Sequence, residues 1–167
     1  MATHGASRDG GHRVEEMSAG MSADATDDFY MALALAEARN ALEAGEIPIG
    51  AVVVAAGAVI GRGHNQTERL RDVTAHAEML ALTAAANKMG NKYLNGCTLY
   101  VTVEPCVMCA GAAHWAQLGT VVFGADEPKT GYRRHGPLLH PRTVVRSGVR
   151  AEECAALLRD FFNFKRK

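Results

Sequence analysis

Residues 97–103, Cys-Thr-Leu-Tyr-Val-Thr-Val, alternate strictly and run straight into a helix start at Glu104-Pro105-Cys106. Cys97, Leu99, Val101 and Val103 fall on one face and Thr98, Tyr100 and Thr102 on the other, the period of a strand. Pro105 suits the first turn of a helix, where its missing N–H removes nothing. That helix runs to about residue 117 and is followed by a second strand, 120–124. Strand, helix, strand within 30 residues is the unit from which layered α/β domains are built.

The remaining pattern extends this frame. Apolar residues at Phe29, Ala32, Leu35, Ala36, Ala38 and Leu42 form a helical stripe over 27–44, with Asp27 as N-cap and Gly45 as stop. Residues 49–55 and 58–61 read as a hairpin turning at Ala56-Gly57. Thr74 is the expected cap of a helix over 75–88. After a basic loop, 125–141, come a short strand near Val144 and a last helix over 151–164. The order predicts a three-layer α/β/α domain with a mixed five-stranded sheet and helices on both faces.

This domain is expected to occupy residues 27–167. Residues 1–26 lack periodicity and are rich in Gly, Ser, Ala and Asp, so a disordered extension is expected, with Met17 and Met21 as alternative starts. The extension has no apolar core of ~7–15 residues, so it is not read as a secretory signal. No run approaches the ~18 apolar residues of a membrane span, and a cytoplasmic protein with reduced thiols is the expectation. Lys plus Arg equal Asp plus Glu at 18 each, which by itself argues against a nucleic-acid binder. Residues 129–167, however, hold ten basic and three acidic side chains, and a basic block of this kind suits phosphate contact.

Two of the four cysteines stand in Pro105-Cys-Val-Met-Cys109. Positions i and i+3 share a helix face, and the positive end of a helix favours thiolate, so Cys106 and Cys109 can grip one metal ion. The same spacing also fits a redox pair, half a structural zinc site or two buried thiols. A second motif, Thr74-Ala-His76-Ala-Glu78, opens the preceding helix. His76 with Cys106 and Cys109 gives three ligands suited to Zn²⁺, and a catalytic site leaves the fourth position to water. Cys97 and Cys154, the only cysteines left to close the site, sit at core positions. Glu78 then has a role as proton carrier. The pattern His-x-Glu with a later Pro-Cys-x-x-Cys is the signature of zinc nucleobase deaminases.

His76-Ala-Glu78 with Glu104-Pro-Cys-Val-Met-Cys109 resembles the cytidine/deoxycytidylate deaminase superfamily. Longer strings, among them Ile47-Pro-Ile-Gly-Ala51, Gly63-His-Asn65, Lys129-Thr-Gly131 and the segment from Glu153 to Phe162, are similar to the bacterial tRNA-specific adenosine deaminase family. The resemblance covers about residues 27–166. It implies the cytidine-deaminase-like fold and one Zn²⁺ per subunit on His76, Cys106 and Cys109. It further implies Glu78 as proton shuttle, Asn65 and the backbone N–H of Ala77 as substrate contacts, and a homodimer. The reaction it implies is hydrolytic conversion of adenosine to inosine at the wobble position of a tRNA anticodon stem-loop.

Residues 132–141 depart from the family pattern, retaining only His140 of a His-His-Pro. Arg133 and Arg134 there, and Lys165 and Arg166 at the end of the last helix, are candidate RNA contacts. Trp115 and Phe123 are expected in the core or a dimer contact. A guanine or free-purine deaminase shares the zinc residues and is the competing enzyme. A non-catalytic zinc-stabilised RNA-binding module is the competing class, disfavoured by Glu78.

Overall fold

The computed structural model describes residues 21–166. Helix α1 (Ala23–Glu43) leads into the hairpin β1 (Gly50–Ala55) and β2 (Ala58–His64). A short helix α2 (Thr67–Leu70) precedes α3 (Ala77–Met89), β3 (Thr98–Val103), α4 (Val107–Trp115) and β4 (Thr120–Ala125). A 3₁₀ turn (Tyr132–His135), β5 (Val144–Ser147) and α5 (Ala151–Lys165) complete the chain.

The five strands form one sheet in the order β2-β1-β3-β4-β5. β1 pairs antiparallel with β2 and β3, whereas β3–β4 and β4–β5 are parallel. The sheet is therefore mixed, as the sequence predicts. Ala56 and Gly57 both take positive φ, 49° and 76°, the geometry of a tight hairpin turn.

Strand parity divides the core. Ala51, Val53, Leu99, Val101, Val121 and Phe123 face α3 and α4. Val52, Val54, Tyr100 and Val122 face α1, with Cys154 of α5 buried beside them. Helices thus cover both faces. Gly63 and Gly61 on β2 let α3 lie directly on the strand, since a β-carbon at either would strike the α3 backbone at Ala77 or Ala81. That close seat fixes the start of α3, where the site forms. Among the described residues no helix is long and apolar enough to cross a membrane.

Helix α1 begins four residues before the predicted start, and Ser22, not Asp27, caps it by accepting the Ala25 N–H at 3.2 Å. Asp27 lies buried inside the helix. It accepts the Tyr100 hydroxyl at 2.9 Å and the Arg146 guanidinium at 2.6 and 2.9 Å. These partners come from strands far along the chain, so the local capping rule had no access to them. Residues 23–26 therefore belong to the helix, and the disorder expected for 1–20 lies outside the described residues.

Candidate metal centre and its pocket

Two helix starts meet beside the sheet. His76 is the N-cap of α3 and Cys106 the N-cap of α4, with Cys109 in the first turn of α4. Thr74 is not the cap: its N–H and hydroxyl both bind Asp72 Oδ1, at 2.8 and 2.7 Å, turning the chain two residues before the helix begins. His76 Nδ1 lies 3.5 Å from Cys106 Sγ and 3.6 Å from Cys109 Sγ, and the three ligand atoms all lie within 4.8 Å of one another. Bonds of ~2.3 Å to sulfur and ~2.05 Å to nitrogen at a tetrahedral angle put N and S about 3.6 Å apart. The donor set and its spacing fit Zn²⁺. Cys97 and Cys154 are buried in the two halves of the core, so neither closes the site.

The electrostatics agree with metal ligation. The Cys106 thiol is drawn down to about 4, first by the Cys109 thiol hydrogen-bonding to it and then by His76. The same bond pushes Cys109 up, so the proton it holds must leave when a cation binds. His76 is raised by its contact with Cys106. Glu78, in the first turn of α3, is buried, and desolvation raises its carboxyl above the ordinary value.

A cleft of about 260 Å³ opens over these groups. Asn65, at the end of β2, and Ala77 line it with His76 and Glu78. The Asn65 N–H donates to Ile49 O at 3.1 Å, which ties the wall to the residue just before β1. All six residues expected at the catalytic centre therefore come together. Sequence reading missed other walls: Glu127 and Thr130 from the loop after β4, and Leu158 and Phe162 from α5. It also gave no role to Glu46. This buried carboxylate accepts the N–H groups of Glu68 and Arg69, at 3.3 and 2.7 Å, and so caps α2 beside the Asn65 wall. The signal available was an acidic residue directly before Ile47-Pro48-Ile49, an apolar setting in which a lone carboxylate requires partners.

A model of the MafB19-like deaminase family matches residues 25–166. A tRNA-specific adenosine deaminase of Agrobacterium fabrum is 46% identical over 143 residues, covering 82% of this chain and 94% of that protein. The chain belongs to the tRNA-specific adenosine deaminase family. Its counterpart of that name in Bacillus subtilis is 46% identical over 150 residues, covering 84% of this chain and 91% of that protein. A solved structure from work on A-to-I editing by tRNA:A34 deaminases at the wobble position matches with a TM-score of 0.73 and 43% identity, over 78% of this chain and 99% of that one. A guanine deaminase from Nitrosomonas europaea matches with a TM-score of 0.70 and 28% identity, over 80% and 83% of the two chains.

The basic residues of this tRNA-specific adenosine deaminase family member are disposed unequally. Arg133 is held inward: Nε and Nη2 bind Glu104 Oε1 at 3.0 and 2.7 Å, Nη2 binds Asp126 at 2.7 Å, and the guanidinium lies over the Phe123 ring. Arg134 is exposed, with its Nη1 3.4 and 3.5 Å from the carbonyls of Pro128 and Lys129. Lys165 sits over the Phe161 ring and Arg166 is exposed at the end of α5. Phe123 is core, as expected, whereas Trp115 is 79% exposed and no part of the core.

Proposed function

We propose that this chain is a zinc-dependent hydrolytic deaminase that converts adenosine to inosine at the wobble position of a tRNA anticodon. One observation carries the reading: a His76–Cys106–Cys109 cluster with a buried Glu78 and Asn65 in one cleft, in a chain 46% identical to tRNA-specific adenosine deaminases over most of their length. One Zn²⁺ per subunit, held by those three ligands, would supply a water whose pKa is lowered toward ~7.

The protein residues do the remaining work. Asn65 hydrogen-bonds the nucleoside, and the Ala77 N–H faces the base. As the first helical residue, Ala77 carries one of the four donors that a helix start leaves without a partner. Glu78 takes a proton from the attacking water and delivers it to a ring nitrogen, while the oxygen adds to C6. Glu78 then takes the proton of the hydroxyl added at C6 and passes it to the departing amino group, so that adenosine and water become inosine and ammonia. Burial raises the affinity of Glu78 for the proton it carries between these sites. A hairpin loop offers its base at low cost because that base is already unpaired.

The partner is the anticodon stem-loop, with Arg134, Lys165 and Arg166 as the cations open to its phosphates. A second copy of the chain is the other partner. Its seat is the apolar cleft of about 430 Å³ between α3 and α4, lined by Met79, Tyr93, Ala112 and the exposed Trp115. The compartment is that of the substrate, the cytoplasm. Incubation with a stem-loop carrying adenosine at the wobble position, followed by nucleoside analysis, is expected to yield inosine. Turnover of free guanine with no inosine in that RNA would instead assign the chain to free-purine deamination.

A further inference from the structure

Glu104 lies between the end of β3 and the metal-ligating Cys106, is 5% exposed, and lines the edge of the same cleft. Its carboxylate is saturated by one segment. Oε1 accepts the Arg133 Nε and Nη2, at 3.0 and 2.7 Å, and Oε2 accepts the Arg133 N–H at 3.2 Å. Arg133 in turn binds Asp126 at 2.7 Å and covers Phe123, so its fork spans both ends of the loop 126–133. The loop is also pinned by Tyr132 N–H to Pro105 O at 2.9 Å and by a β-bridge between Gly131 and Cys106. Gly131 has no room for a β-carbon, because Glu104 Oε2 occupies that space. Two residues of this loop, Glu127 and Thr130, form a wall of the cleft.

We propose that Glu104 and Arg133 are positioning residues: their ion pair sets the 126–131 wall at a fixed distance from Cys106, and thereby holds the substrate in register with the metal centre. The proposal rests on the deaminase reading above. It removes Arg133 from the set of phosphate contacts, because its Nε and Nη2 are already committed to two carboxylates that offset its charge. A planar fork bonding a buried carboxylate through Nε and Nη2 is a specific geometry that lysine does not reproduce. Misplacing a bound substrate by about 1 Å can cost as much as 10²-fold in rate.

The test uses the full-length zinc-loaded protein, with Arg133→Met, Arg133→Lys, Glu104→Gln and the double variant Glu104→Gln/Arg133→Met. Arg133 is nearly half exposed, so its variants fold even if Glu104→Gln is weakened. Arg133→Met is expected to lower kcat on the wobble-adenosine stem-loop by on the order of 10-fold or more, with zinc content unchanged. Arg133→Lys recovers little of the loss, and the double variant is no worse than the poorer single one. Stem-loop affinity measured against salt keeps its wild-type slope. A kcat within twofold of wild type, or additive single effects, overturns the proposal. So does weaker binding with a salt slope shallower by about 0.7–0.9, the signature of one lost phosphate contact. Wild-type turnover of the stem-loop judges the substrate reading separately. The ratio of variant to wild type judges the clamp on whichever purine the wild type deaminates.

Discussion

His76 Nδ1 and Cys106 Sγ stand 3.5 Å apart, each from the N-cap residue of a different helix. The two helices point their positive ends at one spot, which favours both thiolate ligands and negative charge developing on a substrate. Metal removal should therefore strip activity and loosen the fold together. A metal present at 1,000 times its Kd contributes about 4 kcal/mol, which in a domain of this size is a Tm shift of roughly 10 °C. Chelation followed by differential scanning calorimetry checks this, and one equivalent of zinc should restore both properties. An unchanged Tm and full activity after verified zinc loss would contradict the ligand assignment.

Glu78→Gln keeps the side-chain shape and removes the proton carrier. We expect zinc content near one per subunit and a fall in kcat of about 10²–10⁴-fold, the range for a lost general acid–base. Because Glu78 is desolvated in the fold, the variant should lose no thermal stability. Metal analysis with single-turnover kinetics separates this from metal loss.

The chemistry was readable because it is written locally. His76, Glu78, Cys106 and Cys109 sit within two short strings, each at the start of a helix. The mixed five-stranded sheet with helices on both faces also followed from the order of strands and helices, whereas the strand order β2-β1-β3-β4-β5 is a finding of the structure. What escaped was set by contacts between distant segments. Asp27 looks like a helix cap in sequence, yet Tyr100 and Arg146 make it a buried acceptor. Arg133 looks like a free basic loop residue, yet Glu104 and Asp126 hold it. A charged side chain in sequence does not disclose whether its partner is solvent, ligand or another residue 29 positions away.

Glu46→Ala tests the wall behind Asn65. The substitution leaves the N–H groups of Glu68 and Arg69 without their acceptor in a partly buried place. Unmade buried bonds cost about 1–3 kcal/mol each and a lost cap about 1 kcal/mol, so a destabilisation of about 2–4 kcal/mol is expected. Glu46→Gln retains one acceptor oxygen and should lose about half as much. Urea denaturation measures both, and a loss below about 0.5 kcal/mol for Glu46→Ala would show that α2 holds without this carboxylate.

Cys154 predicts the alkaline limit of stability. It lies at the junction of α5 and β4, close enough to Gly124 that a β-carbon there would press on its sulfur. Burial pushes its thiol from 9.0 up to about 12. The unfolded chain thus releases this proton near pH 9, while the folded chain keeps it until about pH 12. Between those values the folded state binds more protons than the unfolded one, so stability falls as pH rises. The contribution is fully present below pH 9 and is lost progressively through this window. All other ionisable groups are shared by a Cys154→Ala variant. Comparing Tm against pH from 8 to 11 therefore isolates the thiol. Cys154→Ala should start lower, from the lost packing, and decline less steeply. Parallel curves for the two proteins would show that the sulfur reaches solvent in the native state.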